Sequence, residues 1–127
     1  MKTFDIAVDF DGTCVTHEYP NIGKDIGAVS VLKKLTQKGH RLILFTMRSG
    51  DSLIDAVSWF RENEIPLYGI NRNPTQEEWT ESPKAYAQLY IDDAAIGCPL
   101  AVKLEYAARP FVNWVEIEDI LTRARLL

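Results

Sequence analysis

The sequence predicts an α/β fold: a single doubly wound, mostly parallel sheet with helices on both faces, formed by residues 1–127 as one domain. Three observations carry this expectation. Short apolar runs of strand length alternate with stretches of helical period, each run stops abruptly at a polar residue, and no linker or internal repeat divides the chain.

Phe4-Asp5-Ile6-Ala7-Val8 is the first run and stops at Asp9, with the length and β-branched content of a buried strand. Ile22, Ile26, Val29, Leu32 and Leu35 then recur at intervals of three or four, and Gly39 follows as a stop, which predicts an amphipathic helix. Leu42-Ile43-Leu44-Phe45 is the second strand and ends at Thr46. Ser49 is placed to cap a second helix whose apolar face is Leu53, Val57 and Phe60, until Pro66 interrupts it. Leu67 to Ile70 reads as a short strand. Ser82-Pro83 has the form of a helix start, Ser as N-cap and Pro at the first helical position. Leu89-Tyr90-Ile91 is a further strand and stops at Asp92-Asp93. Asn113 and Glu116 have capping-box spacing, opening a closing helix with Ile117, Ile120, Leu121 and Ala124 on its apolar side. Residues 94–110 give no periodic signal.

A chain of 127 residues suits one domain with one core. Its 46% apolar and 25% charged residues match a soluble globular protein, and no segment is biased towards disorder. The net charge of -4 offers no general attraction to nucleic acid or anionic lipid, which recruit clustered Lys and Arg. No apolar run is long enough to cross a bilayer, and Met1-Lys2-Thr3-Phe4-Asp5 leads straight into a strand, so a cytoplasmic protein without a membrane partner is expected. Cys14 and Cys98 form no Cys-x-x-Cys pair, and His17 and His40 complete no zinc spacing. Both cysteines read as reduced, small apolar side chains.

In an open parallel sheet, ligands bind beyond the carboxyl ends of the strands. Three of the runs end in Asp9, Thr46 and Asp92-Asp93, which parallel strands would bring to one rim. Asp9-Phe10-Asp11-Gly12-Thr13 sends two carboxylates out of a strand into a Gly turn, one available to a metal and one to a substrate. Thr46-Met47-Arg48 offers a hydroxyl, a guanidinium and backbone N–H groups to a phosphoryl oxygen. Lys84, placed in a first helical turn, opposes the helix dipole unless an anion binds there. Asp92 and Asp93, brought near Asp9 and Asp11, would repel them without a divalent cation. Hard carboxylates with no thiolate or His pair favour Mg²⁺ over zinc. Each stretch alone has an ordinary reading as a polar turn, a helix entry or a solvated charge; their convergence argues for a site. Arg48, Asn71, Arg72, Asn73 and Trp79 occupy loops that could reach the same rim, although solvated loops are the favoured reading of them.

In this order the four stretches resemble the motifs of the haloacid-dehalogenase-like (HAD) hydrolase superfamily and span most of the chain. Asp9-Phe10-Asp11-Gly12-Thr13 matches the first motif, Thr46 the second, Lys84 the third and Asp92-Asp93 the fourth. The resemblance implies a HAD-like Rossmannoid fold and a Mg²⁺-dependent phosphatase hydrolysing phosphomonoesters through an aspartyl-phosphate on Asp9. Asp11 would protonate the leaving group and later activate water. Thr46, Met47, Arg48 and Lys84 would hold the phosphoryl group, and Asp9, the Asp11 carbonyl and Asp92 would bind the metal, with Asp93 a ligand or a neighbour of one. The short intervals between motifs resemble the branch without a cap domain. Such an open site takes a phosphorylated small molecule or macromolecular end, or is closed by a second subunit; the acidic balance does not favour nucleic acid. Two rivals share the residue types: a receiver domain, whose acidic pair comes early rather than late, and a non-catalytic phosphoryl-binding module.

Overall fold

The computed structural model describes residues 2–127. Strands β1 (Asp5–Val8), β2 (Arg41–Leu44), β3 (Gly69–Ile70) and β4 (Leu89–Ile91) form a parallel sheet in the order β3-β2-β1-β4. Val8 is level with Leu44 on one side and with Ile91 on the other. Asp9, Thr46 and Asp92 therefore leave the sheet at one rim, as the apolar runs predict.

Helices α1 (Ala28–Gln37), α2 (Gly50–Glu62) and α3 (Trp114–Arg123) bury Leu32, Phe60 and Leu121 in one cluster with Ile6, Val8, Leu42, Leu44 and Ile91. Strand alternation turns Asp5, Ala7 and Ile43 to the opposite face, where the expected helix does not form. The β3–β4 connection holds only a three-residue 3₁₀ helix, Gln76–Glu78, and residues 82–84 are non-helical. Buried Gln76 explains why. Its Nε2 donates to the carbonyls of Ser82 (3.0 Å) and Lys84 (2.6 Å), and its Oε1 accepts from the Tyr86 N–H (2.7 Å). The Ser82 carbonyl and the Tyr86 N–H are an i, i+4 pair that a helix would have joined to each other, so the segment is satisfied without helical turns.

The first helix also starts later than its apolar spacing predicts. Ile22 and Ile26 precede it, because Thr16 and Lys24 bond reciprocally, Thr16 N–H to the Lys24 carbonyl (3.0 Å) and Lys24 N–H to Thr16 Oγ1 (2.8 Å). Gly27, at φ 91, then turns the chain into α1. The expected strand at Leu67 to Ile70 contracts to Gly69–Ile70. Ser49 is the N-cap residue of α2 but makes no side-chain cap bond, whereas Asn113 Oδ1 accepts the Glu116 N–H at 3.2 Å as its spacing suggests. Residues 94–110 carry β5 (Leu100–Ala101), which pairs antiparallel with β6 (Phe111–Val112). The Val112 N–H donates to the Gly12 carbonyl (2.9 Å), fastening this hairpin to the turn after β1. Among the described residues no helix is long and apolar enough to cross a membrane.

Candidate active site

The β1 strand ends in a tight turn that Gly12 makes feasible, with φ at +81°. A Cβ added there would stand 2.3 Å from Asp93 Oδ2, so the turn backbone packs directly on the Asp93 carboxylate. The Thr13 hydroxyl lies between the two motifs. It accepts the Asp93 N–H (3.0 Å) and donates to Asp9 Oδ2 (2.8 Å), with Asp93 Oδ1 at 3.3 Å. Trp114 of α3 donates its indole N–H to the Thr13 carbonyl at 2.7 Å, which fixes the turn from below.

Carboxylate oxygens of Asp9, Asp92 and Asp93 all lie within 4.8 Å of one another. Burial pushes the Asp9 carboxyl up from an ordinary value near 4 to about 8; the Thr13 hydroxyl lowers it, while Asp93 and Asp92 raise it further. A buried Asp9 carboxyl that resists ionisation, clustered with two further carboxylates that offer only hard oxygen donors, fits one divalent cation. The Asp11 carboxylate is not part of that cluster.

Asp11 is held elsewhere. Arg48 donates Nε to its Oδ2 and Nη2 to its Oδ1, both at 2.8 Å, in a two-pronged ion pair. The remaining Arg48 donors go to carbonyls: Nη1 to Pro20 (3.1 Å) and Ser52 (3.0 Å), Nη2 to Asn21 (2.8 Å). Its guanidinium carbon lies 4.9 Å from the Phe10 ring centroid and 5.2 Å from that of Tyr19. The side chain is 1% exposed. All five N–H groups are thus occupied, and Arg48 is a clamp on Asp11 instead of the substrate ligand expected from its sequence position.

Two further donors expected at Thr46 are also occupied. The Thr46 N–H goes to Asn71 Oδ1 (2.8 Å) and the Arg48 N–H to Thr46 Oγ1 (3.1 Å). Among the described residues the Thr46 O–H and the Met47 N–H donate to no protein group, both residues line the cleft, and Met47 is 98% exposed. Asn71, placed on the rim from sequence alone, therefore shapes the Thr46 loop. Arg72 pairs with Glu77, and Asn73 is buried against Asp5 at the far end of β1. Trp79 is exposed and packs edge-on against Tyr86.

A cleft of about 440 Å³ opens over this rim. Asp9, Asp11, Thr46, Met47, Asp92 and Asp93 line it, together with Arg48. Lys84 does not line it. Lys84 is exposed, with its ammonium 5.2 Å from the centre of the Tyr90 ring, and Tyr90 packs edge-on against Phe45 just before Thr46. The cleft also contains His17, Tyr19, Ala94 and Arg109, which no motif flags. Cys14 and Cys98 are unpaired thiols, and burial pushes both above the ordinary thiol range. That agrees with inert, apolar roles. His40, also buried, accepts the Phe4 N–H at Nδ1 (3.0 Å) and has Nε2 3.0 Å from the Leu126 carbonyl, a structural tie remote from the rim.

No family model matches the chain, and no curated protein matches it. A solved structure of a conserved protein coded by a locus of Bacteroides thetaiotaomicron is similar, with 36% sequence identity and a TM-score of 0.78. The alignment covers 97% of this chain and 93% of that one. At that identity and coverage, the chain belongs to the same family as the conserved Bacteroides protein.

Proposed function

We propose that the protein is a phosphatase of the HAD-like type, using Asp9 as nucleophile and Mg²⁺ as cofactor. The observation that carries this reading is the position of Asp9 at the end of an inner strand, within one acidic cluster with Asp92 and Asp93 and beside the Thr46 loop. The same reading treats the sheet as a reduced doubly wound core: its winding runs from β1 to β3 and then reverses to place β4 on the other side of β1. It also takes the chain as capless, since one helix apiece separates β1 from β2 and β2 from β3.

In the proposed reaction an Asp9 oxygen attacks phosphorus, the ester P–O bond breaks, and the leaving oxygen takes a proton from Asp11. Water then attacks the aspartyl-phosphate, giving its proton to Asp11 and restoring Asp9. To carry that proton, Asp11 has to release one of its two Arg48 bonds. The Thr46 O–H and Met47 N–H are disposed to hold phosphoryl oxygens, and Lys84 joins them when its flexible stem leaves the Tyr90 ring. Asp9 and Asp92, with Asp93 and the Asp11 carbonyl as further donors, would hold the metal, which when bound neutralises charge on the transferring group.

The direct test is purified protein with Mg²⁺ and 4-nitrophenyl phosphate, followed by a panel of nucleotides, sugar phosphates and end-phosphorylated oligonucleotides. Phosphate release abolished by chelation is the expected outcome. Silence across the panel would remove the enzyme reading and leave a binding module.

The raised Asp9 pKa gives a second expectation. Between about pH 4 and pH 8 the folded protein holds a proton that the unfolded chain has released, so metal-free stability should fall as pH rises across that window. A cation that displaces the proton binds better as pH rises. Mg²⁺ should therefore raise the melting temperature by roughly 5 °C or more at pH 8.5, and by much less at pH 5. A pH-independent Mg²⁺ effect in differential scanning fluorimetry would contradict the acidic cluster as the binding site.

A further inference from the structure

Three cations lie in or near the cleft, and the structure distinguishes their availability. Arg48 is fully bonded to Asp11 and three carbonyls, and Lys84 rests outside the cleft lining on Tyr90. Arg109 lines the cleft, is exposed, and among the described residues forms none of the ion pairs. A cleft with carboxylates from Asp9, Asp11, Asp92 and Asp93 repels a phosphoryl dianion. Arg48 already neutralises Asp11, and one divalent cation leaves the other three acids with net negative charge. Even with Lys84 swung in, the metal and the ammonium only balance the three acids and leave the charge of an entering dianion uncompensated, and Arg109 is the guanidinium that remains.

The backbone beneath Arg109 is well fixed. Pro110 follows it and restricts residue 109 to extended conformations. Ala107 and Phe111 on either side are buried, and Tyr106 packs edge-on against Phe111. The Tyr106 carbonyl accepts from Lys24 and its hydroxyl donates to the Asp25 carbonyl. Three residues after Arg109, Val112 is hydrogen-bonded to Gly12 of the nucleophile turn. An exposed side chain, unpaired among the described residues, on a fixed base registered to the turn that carries Asp11, suits an anion anchor.

We infer that Arg109 is the oxyanion anchor of the cleft, binding the phosphoryl oxygens of a phosphomonoester or of free phosphate. The inference rests on the phosphatase reading for its substrate, but it is read out by binding as well as by turnover. Inorganic phosphate is titrated calorimetrically into the Mg²⁺-loaded wild type, R109Q and R109K, and the KM and kcat of each are measured with 4-nitrophenyl phosphate. R109Q is expected to weaken phosphate binding and raise KM roughly 10- to 100-fold, with R109K recovering part of the loss. Melting temperature and Mg²⁺ affinity should stay at wild-type values, because the side chain makes no internal ion pair and is not a metal ligand. Phosphate affinity and KM within twofold of wild type in R109Q would overturn the anchor while leaving the phosphatase reading intact. A wild type that binds phosphate through Arg109 but never turns over would overturn the phosphatase reading and leave the anchor. Failure of the wild type to bind phosphate would overturn the anchor outright.

Discussion

Asp9→Asn is expected to reduce phosphomonoester turnover by about 10⁴-fold or more, the scale on which removal of a covalent nucleophile acts, without unfolding the protein. The amide keeps an oxygen for the Thr13 hydroxyl, so the bridge that joins the β1 turn to Asp93 survives. The Asp9 N–H bond to the Ile91 carbonyl belongs to the main chain and is untouched. What disappears is a carboxylate that is buried and crowded by Asp92 and Asp93, conditions that already hold its pKa near 8. Metal-free Asp9→Asn should consequently be at least as stable as wild type at pH 8.5, and the Mg²⁺-induced rise in melting temperature should shrink. Residual turnover within tenfold of wild type would exclude Asp9 as nucleophile. Loss of turnover accompanied by a large fall in melting temperature would show that Asp9 matters chiefly to the fold.

The rim was legible in the sequence because its logic is one-dimensional. An apolar run that stops at Asp9, Thr46 or Asp92 marks both a strand and its carboxyl end, and parallel pairing brings those ends together with no knowledge of side-chain partners. Side-chain commitments are different, since they depend on which groups have already found partners in three dimensions. Ser82-Pro83-Lys84 carries a sound local helix signal, yet Gln76 takes the carbonyls of Ser82 and Lys84 and the helix is lost. Ile22 and Ile26 continue a helical spacing that the Thr16–Lys24 pairing breaks. Arg109 sits in residues 94–110, where no periodicity exists to read, and reaches the rim only because β6 bonds back to Gly12. Thr13 was inside a recognised motif, but its link to Asp93 is a contact across 80 residues.

Arg48→Ala should prove mainly a stability variant, and this separates a clamp from a substrate ligand. The substitution leaves the Asp11 carboxylate without its two-pronged partner and removes the Arg48 bonds to the Pro20, Asn21 and Ser52 carbonyls. Removing one member of a buried ion pair costs about 3–5 kcal/mol, because the other charge is left desolvated. For a domain of this size that corresponds to a fall of roughly 10–20 °C in melting temperature. The exposed pair between Arg123 and Asp119 provides the control: its side chains are 70% and 66% exposed, so Arg123→Ala should change little. Arg48→Lys should recover only part of the loss, since an ammonium cannot present the planar fork that spans both Asp11 oxygens. Combining Arg48→Met with Asp11→Asn should cost less than the sum of the single changes, because the charge stranded by one is removed by the other. A loop from Tyr19 to Asn21 released from its clamp should also become more accessible to protease. If Arg48→Ala melted within a degree or two of wild type and raised only KM, the five bonds would not be what this residue contributes, and direct contact with substrate would be its role.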